Sequence, residues 1–362
     1  MNIVKATHQY EAWLARHTRL VKPDLRRKHR SMSQASLPDF LRATYYRWAQ
    51  RWPQTCARLS QAPTVLAIGD LHVENFGTWR DAEGRLIWGV NDFDEACILP
   101  YTNDLVRLAV SALLSIKADH LSVKGKTACA AILEGYEESL QKLGRPFVLE
   151  EQNGWLRDIV TSELRDPVHF WRKMDRLRPL RAEIPGDALE VLKQYLPATG
   201  LDCRVVHRVA GLGSLGRIRL VAVADWRGGR IAREIKAMAP PSAGWAQPSL
   251  ASTGIQYWKI VQNSVRCQDP FLHLRGSWLV RRLSPHCCRI ELEDLPRNRD
   301  EPALLFAMGW DTANIHLGSR RAVRRVQRHL RGQEAGWLFS AAKKMAKSVT
   351  EDWGNWKELR PA

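Results

Sequence analysis

Three polar side chains near the start of this chain have the types and the spacing that phosphoryl transfer requires. Asp70 lies in the run Ile68 to Gly77, Asn75 follows it by five positions, and Asp92 follows a second apolar run. Phosphoryl transfer passes through a highly charged transition state, so the protein supplies positioning, metal ions and a carboxylate near the attacking hydroxyl. We therefore predict that Asp70 orients or deprotonates an acceptor, while Asn75 and Asp92 hold Mg²⁺ as hard oxygen ligands.

Two short strands are predicted to position these side chains. Val65 to Ile68 is an apolar run that ends at a glycine, and Leu86 to Val90 is a second one that ends at Asn91. The residues between them include the segment DAEG at 81–84, which is typical of a hairpin tip. Because both acids come where a strand stops, we expect the two strand ends to lie side by side and to form one site.

His72 and Asp94 are further candidates for this pocket, His72 beside the acceptor and Asp94 as another metal ligand. His72 and Glu74 also match the H-x-E motif of zinc deaminases. That chemistry requires a P-C-x-x-C motif downstream. The cysteine pair at 287–288 has the wrong spacing, so the sequence argues against a zinc deaminase.

A second group of candidates lies far downstream, in the run GLGSLG at 211–216. The pattern G-x-G-x-x-G occurs both in dinucleotide-binding turns and in hairpins that cover phosphates. A dinucleotide-binding turn opens a helix, whereas Arg217 to Ala224 alternates as a strand does. We therefore predict a glycine-rich hairpin, with Lys236 near the end of the next strand neutralising phosphates. The phosphate-covering residues would be Gly211, Gly213, Ser214 and Gly216.

The composition is that of a folded protein with a large excess of positive charge. Of 362 residues, 45% are hydrophobic, and the formal net charge is +17. No stretch has the length of a membrane span and no apolar signal segment is visible, so we expect a cytoplasmic protein. Seven cysteines, an odd number, fit reduced thiols better than a disulfide framework. A strongly positive field attracts anions, but it does not identify them.

The positive charge is densest from Arg320 to Arg331, where an apolar stripe can form along one helix face. We interpret the arginines there as a solvated helix face. Contact with nucleic acid or another anionic surface is the less favoured alternative, because no recognisable nucleic-acid-binding motif accompanies them. The stripe would consist of Ala322, Val323, Val326 and Leu330.

Helical patterns flank a β-rich region. Residues 1–60 have helical periodicity, clearest from Leu37 to Arg51, and a strongly apolar helix follows Asn103. Residues 125–200 are again helical in pattern. Between Cys203 and Met238 alternating β-branched residues predict three antiparallel strands, and DWRGG at 225–229 is the best turn.

A change of character near residue 200 predicts the domain organisation. Residues 1–200 would form a helical lobe with the catalytic loop and the metal-binding aspartate. Residues 201–295 would form a β-rich lobe with the glycine loop and the phosphate lysine. Residues 296–362 would be C-terminal helices that pack on the helical lobe. Outside the motifs, further elements are predicted as a helix at 254–265, a strand at 277–283 and a helix at 304–317.

These motifs resemble those of an uncharacterised bacterial family, domain of unknown function 2252, within a larger group similar to aminoglycoside phosphotransferases and protein kinases. The resemblance implies an α+β fold with two kinase-like lobes that binds ATP and Mg²⁺. The catalytic loop and metal aspartate here precede the glycine loop and lysine, so the fold would be circularly permuted. The motifs are GDLHVENFG at 69–77, NDFDEA at 91–96, PYTNDLVRLAVS at 100–111, the glycine loop with Lys236, and QDPFL at 268–272.

The resemblance implies ATP and Mg²⁺ but supplies no substrate, and our first hypothesis is an ATP- and magnesium-dependent phosphotransferase that acts on a small hydroxylated, anionic molecule. Two alternatives stay open: an enzyme that transfers AMP to a protein acceptor, and a pseudokinase-like module that binds nucleotide without catalysis. Three departures from the pattern bear on this choice. Ile68 stands where a histidine is usual, Glu234 stands where a small residue is usual, and the helix at 254–265 has no acid to pair with Lys236.

Overall fold

Helices and antiparallel sheets make up the structure, which confirms the α+β class. It is a computed structural model that describes residues 1–150, 152–160, 166–180, 183–287, 292, 295–296 and 299–359. The helices are α1 (Ile3–Leu14), α2 (Lys22–Gln34), α3 (Leu37–Ala43), α4 (Tyr45–Thr55), α5 (Tyr101–Lys117), α6 (Gly125–Lys142), α7 (Gly154–Val160), α8 (Pro167–Asp175), α9 (Gly186–Gln194), α10 (Ala243–Ala246), α11 (Tyr257–Asn263), α12 (Glu301–His316), α13 (Val323–Arg331) and α14 (Trp337–Leu359). The strands are β1 (Thr64–Ala67), β2 (Phe76–Arg80), β3 (Leu86–Val90), β4 (Cys97–Pro100), β5 (Phe147–Val148), β6 (Arg204–His207), β7 (Arg219–Trp226), β8 (Gly229–Ala237), β9 (His273–Arg275) and β10 (Trp278–Leu283).

The strands form three sheets, and the largest carries the predicted β-rich motifs. Its order is β6-β7-β8-β10-β9, and all its pairs are antiparallel. The three strands predicted between Cys203 and Met238 are therefore confirmed. Between β7 and β8 only Arg227 and Gly228 intervene, with φ of 47° and 81°. Positive φ at both positions is the geometry of tight hairpins, and glycine adopts it without strain.

The largest apolar core joins helices from the two ends of the chain. Buried residues of α1 and α5 belong to the same cluster as those of α12 and α14. Helices α6 and α12 cross closely because each presents a glycine: a methyl group on Gly135 or Gly309 would lie 2.0 Å from a carbonyl oxygen of the facing helix. The C-terminal helices thus pack on the N-terminal ones.

Two smaller apolar clusters lie on the two faces of the five-stranded sheet. Helix α9 contributes Ala188 and Leu192 to one of them, and α8 contributes Met174 to the other. Both helices precede residue 200, so a boundary there would separate them from the sheet on which they pack. The three-part domain division itself stays a prediction.

Three sequence expectations differ from the structure. The pattern from Leu37 to Arg51 forms two helices, because Thr44 leaves the helical conformation (φ −126°, ψ 36°). Strand β1 pairs with β4, whereas β3 pairs with β2 and β5. The strand ends that carry Asp70 and Asp92 therefore belong to different sheets. Strand β5 also interrupts a region predicted to be helical.

The remaining expectations concern the surface and the thiols. Helix α13 forms within the arginine-rich segment, and Val326 and Leu330 of the predicted stripe are buried. The six cysteines in the described part of the chain are free thiols. A search of the described residues finds no helix with the length and apolarity of a membrane span. The cytoplasmic location stays a prediction.

Candidate functional site

The loop that carries Asp70 is anchored by a buried aspartate of α5. Asp104 is fully buried, and its carboxylate accepts hydrogen bonds from the backbone N–H of Ile68 (2.6 Å) and of Gly69 (3.0 Å). His316 of α12 lies 3.0 Å from the same carboxylate through Nε2. The backbone at Ile68 is thus held through Asp104 and His316.

A buried arginine of α5 fixes the carboxylate of Asp70. Arg107 Nε donates to Asp70 Oδ1 at 2.8 Å, and the guanidinium lies 4.8 Å from the ring centre of Tyr45 and 4.9 Å from that of Trp48. Burial raises the pKa of Asp70 above its usual value, and the Arg107 charge opposes that rise. The side chain keeps 20% of its surface exposed. Asp70 is therefore fixed in orientation and still partly exposed to solvent.

Asn75 ties together the two segments that carry the acids. Its Nδ2 donates to the carbonyl oxygens of Asp70 (3.0 Å) and Asp92 (3.2 Å). Its Oδ1 is buried and accepts no hydrogen bond from any described group. A buried acceptor without a donor is costly unless a ligand satisfies it. The amide oxygen of Asn75 is thus available to a cation.

Asp92 and Asp94 are adjacent carboxylates with opposite electrostatic environments. The backbone N–H of Asp94 donates to Asp92 Oδ1 at 3.2 Å. Desolvation and the Asp94 charge raise the pKa of Asp92, although half of its side chain is exposed. Burial opposes ionisation of Asp94, but Lys236 and Arg217 hold its pKa well below the usual range.

Lys236 connects the five-stranded sheet to the carboxylates of Asp92 and Asp94. It lies on β8, its side chain is 4% exposed, and it forms ion pairs with Asp94 and, at 3.4 Å, with Asp92. Burial lowers the pKa of Lys236, and the two aspartates counteract this effect. Arg217, directly after the glycine loop, also donates to Asp94 at 2.9 Å.

The glycine loop at 211–216 connects β6 to β7 and lies over Asp70. A methyl group on Gly213 would be 2.9 Å from the Arg42 carbonyl oxygen and 3.7 Å from Asp70 Oδ2. Gly216 has a φ of +100°, and a methyl group there would be 2.3 Å from Leu25 Cδ2. Only glycine allows this approach. Ser214 Oγ accepts a hydrogen bond from Arg219 at 2.8 Å. Gly211 begins the loop.

Segment 20–28, which includes the start of α2, holds this loop in place. The N–H of Val21 donates to the Gly216 carbonyl oxygen at 2.7 Å. Lys28 Nζ donates to the Gly213 carbonyl oxygen at 3.3 Å. Burial lowers the pKa of Lys28 to about 8. The loop is therefore fixed from the N-terminal helices as well as by its own strands.

Glu234 has partners of its own. Its carboxylate is fully buried and pairs with Arg208, with Arg281 at 2.7 Å and with Arg219 at 3.4 Å. Burial opposes ionisation, but the three guanidinium groups hold the pKa of Glu234 well below its usual range. Glu234 is thus engaged with arginines, and the described partners of Lys236 are Asp92 and Asp94.

The donor set fits magnesium better than zinc. Within the described ranges no three His, Cys, Asp or Glu side chains form a metal cluster. Asp92, Asp94 and the Asn75 amide oxygen instead offer hard ligands of the kind with which Mg²⁺ combines substrate phosphates and water. His72 is buried, 8% exposed, and Glu74 forms an ion pair with Arg42.

Several residues of this site were missed by the sequence reading. Arg107 had a usable signal, because an arginine inside a strongly apolar helix needs a buried partner. Asp104 could equally have been a helix-start residue. The others gave no local signal, since their partners lie far away in the chain. The missed residues are Lys28, Asp104, Arg107, Arg217 and His316.

Comparison with known proteins supports one part of the family resemblance. Residues 20–168 match the family model described as "Uncharacterized protein conserved in bacteria (DUF2252)". The matched part includes Asp70, Asn75 and Asp92, and it ends before the glycine loop and Lys236. No curated protein and no solved structure matches the chain.

Proposed function

We propose that this protein is a kinase-like phosphotransferase that depends on ATP and Mg²⁺. One observation carries the proposal: three separate segments, which carry Asp70 with Asn75, Asp92 with Asp94, and Lys236, are joined at one place by hydrogen bonds and ion pairs. Asp92 and Lys236 are 144 positions apart in the sequence, so nothing in the local sequence requires them to meet. A positioned carboxylate, an oxygen ligand set and a phosphate-neutralising cation are the parts that phosphoryl transfer requires.

Each residue has a role in this proposal. Asp70, held by Arg107, orients the acceptor hydroxyl and takes its proton, with His72 beside it. Asn75, Asp92 and Asp94 would hold Mg²⁺, which neutralises charge on the transferring phosphoryl group. Lys236 attracts the donor phosphates, and Gly211, Gly213, Ser214 and Gly216 cover them.

The same proposal includes a two-lobe, circularly permuted arrangement. The helical part carries Asp70 and Asp92 early in the chain, and the five-stranded sheet carries the glycine loop and Lys236 later. Permutation is tolerated because a compact fold depends on spatial neighbours rather than on chain order. The acceptor would be a small hydroxylated anion, since the net charge of +17 attracts anions.

A thermal-shift series with ATP, GTP and ADP, each with and without Mg²⁺, tests the proposal. Specific binding stabilises the folded state by mass action, so the melting temperature should rise with ATP and rise further with Mg²⁺. Asp92→Asn should abolish the magnesium-dependent part. Asp70→Asn should keep binding and reduce turnover by roughly 100-fold or more. Unchanged magnesium dependence in Asp92→Asn would remove the assignment. Labelled nucleotide would separate transfer of phosphate from transfer of AMP.

A nucleotide-binding, pseudokinase-like module is the second candidate. It is favoured by Glu234, whose ion pairs with Arg208, Arg219 and Arg281 fill the position where a small residue is usual. It is also favoured by Gly213, which lies against Asp70. This candidate predicts magnesium-dependent binding and no turnover with any acceptor, and Asp70→Asn would then change neither property.

A further inference from the structure

A cavity lies beside Asp92, on the side formed by β2, α11 and β10. It is small and partly open to solvent, and its lining includes Asn91 and Phe93, the two chain neighbours of Asp92. Trp79 and Tyr257 contribute aromatic walls. None of the roles proposed above uses this cavity.

Arg266 enters the cavity without a carboxylate partner. Its guanidinium lies 4.4 Å from the ring centre of Trp79 and 5.0 Å from that of Phe93, and it donates to the Val90 carbonyl oxygen at 3.1 Å. No described acid lies within ion-pair distance, and Nε is buried without an acceptor. Burial lowers the pKa of Arg266, which reflects the cost of its charge there.

Two further arginines, Arg233 and Arg282, lie next to each other on neighbouring strands of the five-stranded sheet. Arg282 of β10 is the direct cross-strand neighbour of Arg233 of β8. Their guanidinium groups lie 4.3 Å and 4.7 Å from the ring centre of Phe271. Neither pairs with an acid in the described part of the chain, and each Nε is buried without an acceptor. Burial and the Arg282 charge lower the pKa of Arg233.

One acid lines the cavity among these arginines. Asp269 Oδ1 accepts a hydrogen bond from the backbone N–H of Phe271 at 2.9 Å. Burial raises its pKa, although Arg282 and Arg266 act in the opposite direction. Arg281, which also lines the cavity, is already paired with Glu234. Among the side chains that line the cavity, the arginines therefore outnumber the single acid, although the buried Asp311 behind it also acts to raise the pKa of Arg266.

We propose that this cavity is a binding site for a single phosphate group. A phosphate group supplies the acceptors that Arg266 and Arg282 lack, because planar guanidinium groups bind phosphate oxygens in pairs. This inference does not depend on the proposed phosphotransferase activity.

Calorimetric titration with inorganic phosphate, in low salt and without Mg²⁺, tests the site. The wild-type protein should bind one phosphate saturably, and Arg266→Gln and Arg282→Gln should each weaken binding at least tenfold. Arg324→Gln, an exposed arginine of α13, should bind as the wild type does. Absence of saturable binding by the wild type would overturn the proposal. So would wild-type affinity for phosphate in both Arg266→Gln and Arg282→Gln. Equally tight binding of acetate would overturn the choice of phosphate.

Two further variants separate this site from the Lys236 cleft. Lys236→Gln and Asp92→Asn should lose the magnesium-dependent nucleotide response and keep phosphate binding. Loss of phosphate binding in Lys236→Gln, with Arg282→Gln unaffected, would place the anion in the other cleft. Arg282→Lys keeps the charge but not the paired donors, so it should fold and still bind phosphate more weakly than the wild type. Wild-type affinity in this variant would contradict the site.

Discussion

At the scale of single residues, the balance of charge around Asp70 and Asp94 is the main feature of the cleft. Arg107 lies under Asp70, while Lys236 and Arg217 lie against Asp94. Each acid is therefore stabilised in its ionised form by a cation from another element. Asp92, half-exposed and repelled by Asp94, is the acid whose environment is least satisfied. A cation between these groups would remove that repulsion.

Glu95, next to this cluster, gives the protein a measurable pH dependence. Its carboxylate accepts hydrogen bonds from the N–H (2.6 Å) and hydroxyl (2.8 Å) of Ser242. Burial raises its pKa from 4.5 to about 7, although Arg217 opposes the rise. In the folded state Glu95 thus holds its proton at pH values where the unfolded chain has lost it. Its contribution to stability is present below pH 4.5 and is lost as the pH rises towards 7.

We expect Glu95→Gln to remove this dependence. The difference in unfolding free energy, variant minus wild type, should increase between pH 4.5 and pH 7.5 by on the order of 3 kcal/mol. Urea denaturation at several pH values measures it. The glutamine keeps an oxygen acceptor for Ser242, so the variant and the wild type can form the same hydrogen bonds and differ mainly in the titrating group. A difference that does not vary with pH would show that Glu95 does not titrate in this range.

At the scale of elements, the cleft depends on three packing relations. Helix α5 supplies Asp104 and Arg107 under the Asp70 loop, and α12 supplies His316. Strand β8 carries Lys236 across to Asp94. Segment 20–28 holds the glycine loop from the other side. The loop that is proposed to cover phosphates is thus itself held by the N-terminal helices.

Lys28→Met should loosen the glycine loop. The substitution removes the hydrogen bond to the Gly213 carbonyl oxygen, which is worth about 1 kcal/mol, so local opening should become roughly fivefold more frequent. Hydrogen exchange of the amides at 211–216 measures this. Lys22→Met, at the exposed start of the same helix, is the control and should leave the exchange unchanged. Equal exchange in both variants would mean that Lys28 does not hold the loop.

At the scale of the whole molecule, the net charge is +17, and the arginines that contribute to it lie in two kinds of environment. Some arginines are buried in the cleft and cavity, where they contact acids or aromatic rings. Others lie on α13, where Arg324, Arg325 and Arg328 are exposed. None of these three pairs with an acid among the residues that the structure describes. Their charge contributes to the field around the molecule rather than to the fold.

Replacing these three arginines of α13 by glutamine should therefore change stability little. We expect less than about 0.5 kcal/mol for each substitution, measured by urea denaturation. The same variant tests the alternative of a polyanion contact. If α13 binds RNA, the affinity of the wild type for a labelled single strand should fall steeply with salt, and the variant should lose part of that slope. A flat salt dependence would leave the solvated helix face as the interpretation.

The local sequence was sufficient for elements and motifs. Alternation predicted β6, β7 and β8, the DWRGG segment predicted their tight turn, and the apolar periodicity predicted α5, α12 and the stripe of α13. These features depend on residues a few positions apart, where period and turn chemistry directly constrain the backbone. The break at Thr44 and strand β5 were missed because tertiary packing overrides weak local preference.

Only the tertiary structure decided which charges meet. The sequence identified Asp70, Asn75, Asp92 and Lys236, but not that Lys236 pairs with Asp94, nor that Glu234 pairs with arginines. It did not show that β1 and β3 belong to different sheets, whose ends are joined through Asn75. Ion pairing depends on distances between segments far apart in the chain, and no local pattern encodes those distances. The residue types thus set the chemistry available to this protein, and the packing of its sheets and helices set which groups can share it.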